Sequence, residues 1–311
     1  MRVAVVGAGA VGGYFGAKLA AAGHDVAVVA RGANLRAIRE RGLLVWSPLG
    51  DFLARPRAED DPGAIGPVDL VLVAVKTYDL EAAAARLPPL LGPETAVLTL
   101  QNGVDAPEVV ARVAGERAVL AGAAYIATAL AAPGLVVQTG TYRRIAFGEF
   151  FAPEASITPR VARIAQMLAA ADIQAEPVAD ARVALWDKLV YLAPIAGLAA
   201  AARVDTGILQ REPALRDAFV AAAGEAAAVA RALGIPIAGD LVDRVTRFFE
   251  RAPAAMRPSL LMDLLAGRRL EVEALQGAIV RRGAQAGVPT PVMATLYAVL
   301  KPHAEGPAGL A

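Results

Sequence analysis

Cysteine is absent from this 311-residue chain, and histidine occurs only twice, as His24 and His303. Without cysteine there can be no disulfide, no thiolate nucleophile and no Cys-ligated zinc or iron–sulfur site. Two histidines at opposite ends of the chain cannot build a His-rich metal site, so no metal is expected. A surplus of charge is missing too: 31 Lys+Arg stand against 30 Asp+Glu, a net charge of +1. Nucleic acid is therefore not expected as a partner, because neutralising phosphates takes an excess of basic side chains on one face. Long uninterrupted apolar runs are also lacking. The nearest candidate for a membrane span, Leu189–Ala202, is short and contains Pro194 and Gly197. The apolar N-terminal stretch has only Arg2 ahead of it and passes into a patterned helix carrying Lys18, which is not a signal-peptide layout. A soluble, cytoplasmic protein with no membrane partner is expected.

What is present is material for buried cores: 56% of residues are hydrophobic and 20% charged. At roughly 150 residues per domain, the length suggests two domains. Strand and helix patterns alternate through the first half. Arg2–Val6, Val26–Ala30, Asp69–Val75, Ala96–Leu100 and Ala118–Ala127 read as strands, and Ala10–Ala22, Ala33–Arg41, Leu80–Leu87, Ala106–Val113 and Ile157–Ala171 as helices. Leu43–Trp46 with Phe52–Arg55 predicts one hairpin, Leu135–Gln138 with Arg144–Glu149 a closing one, and Ile173–Pro177 a short strand. After about Val178 the pattern becomes helical, over Ala181–Ala202, Pro213–Leu233, Ala238–Arg251, Leu270–Ala286 and Pro291–Leu300. The small, Gly/Pro-containing tail Ala304–Ala311 is expected to be mobile. The fold expected is α/β: an N-terminal doubly wound, Rossmann-type sheet over residues 1–178 and an all-helical C-terminal domain over 179–311. A site at the interface of the two domains is the default expectation for such a layout.

Gly7-Ala8-Gly9-Ala10-Val11-Gly12 follows the first strand directly and opens the first helix. Gly7 permits the tight turn, Gly9 the approach of a pyrophosphate, and Gly12 close packing of helix on strand, with the helix N-terminus facing the anion. Alone the pattern is weak; its place between a strand and a helix, with a second strand at the expected distance, strengthens it. That second strand ends Val28-Val29-Ala30-Arg31-Gly32, without the carboxylate that NAD binders use for the ribose 2′-hydroxyl. Arg31 can instead clamp a 2′-phosphate, so NADP(H) is the cofactor expected, with an ordinary surface arginine as the alternative.

Lys76 ends the apolar strand Asp69–Val75, at the edge where ligands of open α/β sheets lie, and is expected to project towards the cofactor; Gln101-Asn102-Gly103 ends the next in the same way, and Asn102 could hydrogen-bond the nicotinamide ribose or the substrate. A solvated lysine and an Asn-Gly turn are the plain alternatives. In the second half, Lys188 precedes the apolar run Leu189–Ala193; partial burial would lower its pKa and suit it to proton donation. A snorkelling lysine at a helix edge is the alternative there. Ser259 and Glu271, taken alone, read as a cap and a surface charge. His24 lies at the wrong end of the strands and His303 near the tail, so a lysine is the better proton donor.

Taken together these strings resemble the ketopantoate reductase family, the 2-dehydropantoate 2-reductases. The resemblance runs nearly end to end. It rests on the glycine fingerprint, Ala30-Arg31-Gly32, Val75-Lys76, Gln101-Asn102-Gly103 and Trp186-Asp187-Lys188-Leu189, and most specifically on Arg257-Pro258-Ser259-Leu260-Leu261-Met262-Asp263, Gly267–Val272 and Gly287–Pro291. It implies transfer of a hydride from NADPH to the C2 carbonyl of a small 2-oxo acid, forming (R)-pantoate in pantothenate and coenzyme A biosynthesis. It further implies that Lys188 donates the proton and that Glu271 holds Lys188 or a substrate hydroxyl. Ser259 would meet the substrate carboxylate, with Lys76 and Asn102 lining the site. One departure stands out. The pantoate-forming members carry asparagines four and eight residues after the lysine and often one three residues before the serine; this chain has Leu192, Ala196 and Met256. A relative reducing a more apolar 2-oxo acid, as a D-2-hydroxy-acid dehydrogenase, is thus the alternative, with a non-catalytic NADP-binding sensor a third. A homodimer is compatible with the sequence.

Overall fold

The computed structural model describes residues 1–152 and 154–307. Its sheet has ten strands: β1 (Arg2–Val6), β2 (Asp25–Val29), β3 (Leu43–Trp46), β4 (Phe52–Ala54), β5 (Arg57–Glu59), β6 (Leu70–Val73), β7 (Ala96–Thr99), β8 (Val119–Ala132), β9 (Leu135–Glu149) and β10 (Gln174–Pro177). They run in the order β4-β3-β9-β8-β7-β6-β1-β2-β5, with β10 beside β9. The centre, from β8 to β5, pairs in parallel, while β3/β4 and β8/β9 are antiparallel. Helices α1 (Ala10–Ala21), α2 (Gly32–Arg41), α3 (Leu80–Ala84), α4 (Ala106–Ala114) and α5 (Pro159–Ala170) accompany the strands.

Alternation along each central strand divides the core. Val3, Val5, Leu70, Leu72 and Leu98 face one layer with Tyr14, Phe15, Leu19, Ile164 and Leu168. Ala4, Val6, Val71, Val73 and Val97 face the other with Leu80, Leu87 and Val110. Strands covered on both faces must be apolar at every position, which is why Leu70–Val73 is buried throughout.

The rest is helical: α6 (Ala181–Ala202), α7 (Thr206–Arg211), α8 (Pro213–Ala232), α9 (Leu241–Arg251), α10 (Ser259–Leu265), α11 (Ala278–Ala286) and α12 (Pro291–Leu300). The chain divides into two units, Met1–Gln101 with Ala106–Ala184, and Asn102–Asp105 with the residues from Leu185 onward. The loop between β7 and α4 therefore belongs with the helical unit.

Several expectations need correction. Leu135–Gln138 and Arg144–Glu149 are not two arms of a hairpin but parts of one strand, β9, which pairs antiparallel with β8 across the Pro133-Gly134 turn. The irregular Thr139–Tyr142 stretch lies within that strand, at a register shift, and its Gly looked like a turn from sequence alone. The short strand β5 was not foreseen; only Ala58 of Arg57-Ala58-Glu59 is buried, so it has no apolar pattern to read. The helix predicted over Leu270–Ala286 begins instead with a π turn, Glu273–Gly277, before α11. Helix α6 starts well before Leu189 and runs through Pro194 and Gly197. It is long and apolar enough to cross a membrane, but 67% of its most apolar window is buried inside the protein. The tail predicted from Ala304 is partly tied down, since the Leu270 amide donates to the Ala304 carbonyl at 2.9 Å. Its last four positions lie outside the described residues.

Candidate active site

The glycine segment Gly7–Gly12 joins β1 to α1 in the first unit. Gly7 has φ +102°, and a Cβ there would lie 2.7 Å from Val75 Cγ1. A Cβ on Gly12 would lie 2.1 Å from the Gly7 carbonyl oxygen. Both positions need glycine so that helix and strands can close on each other. Gly9 differs: a Cβ there would meet nothing within 4 Å, so its surroundings are open. It is the N-cap of α1, offers no side chain to the free N–H groups, and the first turn holds no acidic residue. The amides of Gly7 and Ala8 are engaged with the Val29 carbonyl at 3.3 Å, while Ala10 and Val11 begin the helix. The uncapped helix end beside open space suits a phosphate group.

Arg31 stands at the N-cap of α2, exposed, and its guanidinium has no partner among the described residues. Asn34, in the first turn of α2, is a residue the sequence reading passed over. Its amide donates to the Ala8 carbonyl at 2.7 Å, and its carbonyl accepts from the Gly134 amide at 2.8 Å. An asparagine inside a helix was the available signal, since such residues usually serve backbone groups. Lys76 sits beyond the carboxyl end of β6, half-buried, where its carbonyl accepts from the Asp79 amide at 3.0 Å. Gln101 is buried and ties the same strand end down, donating to the Val73 and Val75 carbonyls at 2.9 and 3.2 Å.

In the second unit three residues far apart in sequence form a chain. The Lys188 ammonium donates to Asn102 Oδ1 at 2.9 Å, and Asn102 Nδ2 donates to Glu271 Oε2 at 3.2 Å. These two bonds orient the amide. Glu271 is 5% exposed, and burial of this cluster pushes the Lys188 ammonium from 10.5 to about 8, against the upward pull of the Glu271 carboxylate. Three features place the group. Lys188 lies in α6. Glu271 precedes the π turn, with its carbonyl accepting from the Ala274 and Leu275 amides at 3.1 and 3.2 Å. The Asn102 loop is pinned by Asp105, which accepts from Arg282 Nε and Nη2 at 3.0 and 2.6 Å. Gly103, with φ +87°, lets that loop reach the π turn: a Cβ there would lie 2.4 Å from the Ala274 carbonyl oxygen.

Residues 3–151 match the family model described as ketopantoate reductase PanE/ApbA, and residues 180–304 match the model of its C-terminal domain. The chain belongs to the ketopantoate reductase family. It is similar to the 2-dehydropantoate 2-reductase of Caulobacter vibrioides, 35% identical over 300 residues that cover 96% of this chain and 97% of the relative. The crystal structure of 2-dehydropantoate 2-reductase from Geobacter metallireducens GS-15 superimposes with a TM-score of 0.90 at 33% identity, covering 97% and 99% of the two chains. D-mandelate dehydrogenase, solved as a ternary structure with NADH and anilino(oxo)acetate, shares the fold with a TM-score of 0.89 at 22% identity and coverage of 97% and 98%.

Ser259 opens α10 and is exposed. Leu192 is half-buried one turn after Lys188, and Ala196 is buried one turn further on. Met256 is half-buried, and its carbonyl accepts both the amide and the hydroxyl of Thr206, at 3.1 and 2.9 Å. Tyr191, also in α6, packs edge-on against Phe219 and Phe248, with ring centroids 6.2 and 4.9 Å away. Its hydroxyl is buried without a partner among the described residues, and burial pushes the phenol above its ordinary value. Among the described residues no group of His, Asp or Glu is placed to hold a metal ion.

Proposed function

We propose that this chain is an NADPH-dependent reductase of a small 2-oxo acid, converting 2-dehydropantoate to (R)-pantoate in the cytoplasm. The observation that carries this reading is the Lys188–Asn102–Glu271 chain, with a half-buried ammonium whose desolvation lowers its pKa to about 8. Such a group keeps its proton at neutral pH yet releases it to a developing alkoxide more readily than an ordinary lysine. The glycine segment and the N-terminus of α1 suit the pyrophosphate of a dinucleotide, and the exposed, unpartnered Arg31 suits its 2′-phosphate.

Bound NADPH would supply the hydride to the carbonyl carbon. As negative charge grows on the carbonyl oxygen, the Lys188 ammonium stabilises it and then gives up a proton to form the hydroxyl. Lysine is left neutral and is re-protonated by solvent. Asn102 holds the lysine Nζ in one direction, and Glu271 favours its charged form before the transfer. Lys76 and Ser259 are assigned to substrate contacts by family resemblance, Ser259 to the carboxylate. The test is NADPH oxidation with 2-dehydropantoate, followed with the unmutated protein and with Lys188→Ala. Turnover that survives the substitution would remove the lysine from the reaction.

A second reading rests on Leu192 and Ala196. Their side chains cannot hydrogen-bond, so these positions are apolar where the family resemblance implies amides. This supports a D-2-hydroxy-acid dehydrogenase acting on a less polar 2-oxo acid. A panel of 2-oxo acids with and without a terminal hydroxyl separates the two.

A further inference from the structure

Gln276 is wholly buried in the π turn that follows Glu271. Its Nε2 donates to the Ala193 carbonyl of α6 at 2.6 Å, and its Oε1 is buried with no partner among the described residues. An apolar side chain of the same length would avoid that orphaned oxygen, so the amide brings a desolvation penalty that packing alone does not require. The other side of the contact carries a second penalty. Gly197 lies in the interior of α6, where glycine is a poor helix former, and a Cβ there would stand 2.9 Å from Gln276 Nε2. Both unfavourable choices resolve into one contact: glycine makes the room that the glutamine amide fills.

The contact falls at a weak point of α6. Pro194 has no N–H for the Val190 carbonyl, so the turn after Lys188 lacks one of its helical bonds. The Gln276 amide binds the carbonyl immediately before that proline. At its other edge the π turn meets the Asn102 loop, where the Ala274 carbonyl leaves no room for a side chain on Gly103. The π turn is closed by the Gly277 amide on the Val272 carbonyl at 2.9 Å, a five-residue step that widens the helix and turns Gln276 toward α6. One short segment thus touches the elements that carry all three members of the Lys188–Asn102–Glu271 chain.

We infer that Gln276 is a positioning residue: by clamping the π turn to the proline-interrupted stretch of α6, it sets the separation of Lys188 from Asn102 and Glu271. This rests on the reading of Lys188 as proton donor. Two variants test it, Gln276→Met, which keeps length and loses the amide, and Gly197→Ala, which favours the helix and displaces the amide. Three readouts are taken: kcat with 2-dehydropantoate, the Kd for NADPH, and the titration midpoint of Lys188 followed by NMR on lysine-labelled protein. Both variants are expected to lower kcat about tenfold or more, on the scale of the roughly 10²-fold that a misplacement of about 1 Å can cost. The Kd for NADPH should stay within about twofold of the unmutated value. The Lys188 midpoint should fall below that of the unmutated protein, because Glu271, the group that raises it, is no longer held in place. The Gly197→Ala methyl group meets the far end of a flexible side chain, so the variant should stay folded, and all readouts are taken well below its measured melting temperature, which separates positioning from loss of fold. Unchanged kcat and unchanged midpoint in a folded Gly197→Ala would overturn the inference, as would a fall in kcat that only tracks the unfolded fraction of Gln276→Met. If the unmutated protein reduces no 2-oxo acid, the proposed activity fails, and the NMR midpoint still judges Gln276.

Discussion

The glycine segment of the first unit and the lysine cluster of the second are built by opposite means. Gly7–Gly12 works through backbone: what matters there is which side chains are missing, and all its parts lie within one strand–turn–helix. The Lys188–Asn102–Glu271 cluster works through side chains, and its bonds span 86 and 169 residues of sequence. A backbone site tolerates any neighbour that leaves it room. A side-chain site depends on every element that sets a distance, which is why glycines, a π turn and the Asp105–Arg282 pair all recur around it. The first is robust to distant change and intolerant of a single methyl group; the second is the reverse.

The largest effect expected is at the side-chain site. Lys188→Ala should lower kcat by about 10²–10³-fold, the range for loss of a proton donor and its charge. The Kd for NADPH, measured by fluorescence titration, should barely move; a parallel loss of cofactor binding would break the distinction between the two regions.

At the backbone site, Gly12→Ala and Gly9→Ala should part company. The Gly12 methyl group would run into the Gly7 carbonyl and cost about 1–3 kcal/mol as overpacking does, seen as a lower melting temperature. The Gly9 methyl group meets no protein atom, so the melting temperature should hold while NADPH affinity falls. Equal melting temperatures for the two would mean the segment can relax.

Arg31→Ala is expected to raise the NADPH KM about tenfold or more, from the loss of about 1.5–3 kcal/mol for a hydrogen bond to a charged group. NADH kinetics should hardly change. Equal use of both cofactors by the unmutated protein would detach Arg31 from cofactor choice.

If Lys188 is the proton donor as proposed, kcat/KM for reduction should fall as pH rises through about 8, where Lys188 loses its proton. The stability sign runs the other way. The folded pKa lies below the unfolded value of 10.5, so between about 8 and 10.5 the unfolded chain binds more protons and stability rises with pH. Lys188→Met should abolish both trends, measured by initial rates and by denaturant titration.

The smallest effect concerns Leu192 and Ala196. A branched 2-oxo acid lacking the terminal hydroxyl, such as 2-oxoisovalerate, should be reduced with kcat/KM within about two orders of magnitude of 2-dehydropantoate. Leu192→Asn with Ala196→Asn should move that ratio toward 2-dehydropantoate. Discrimination of roughly 10⁴ by the unmutated protein would show that other groups, Glu271 first, have taken over the hydroxyl.

The sheet was legible because its strands are buried on both faces and so cannot be anything but apolar, as in Leu70–Val73. The long helices were legible from period and punctuation: Pro291–Leu300 opens with proline, and Ala278–Ala286 ends on Gly287 in the left-handed conformation. What failed had no pattern to show. Strand β5 is polar, and Gly140 lies inside β9 at a position that reads as a turn. The π turn keeps the apolar spacing of an ordinary helix, so nothing in Leu270–Ala286 announced it.

The same division runs through the site. The chain by itself determined the glycine segment, the absence of a carboxylate beside Arg31, and the family strings around Lys188, Ser259 and Glu271, because each is local. Only the tertiary structure decided that Asn102 bridges Lys188 and Glu271, that Asn34 holds the Ala8 carbonyl, and that Gln276 fills the space Gly197 leaves. Hydrogen bonds of about 3 Å between residues 26 to 169 positions apart are set by packing, and no local pattern encodes them.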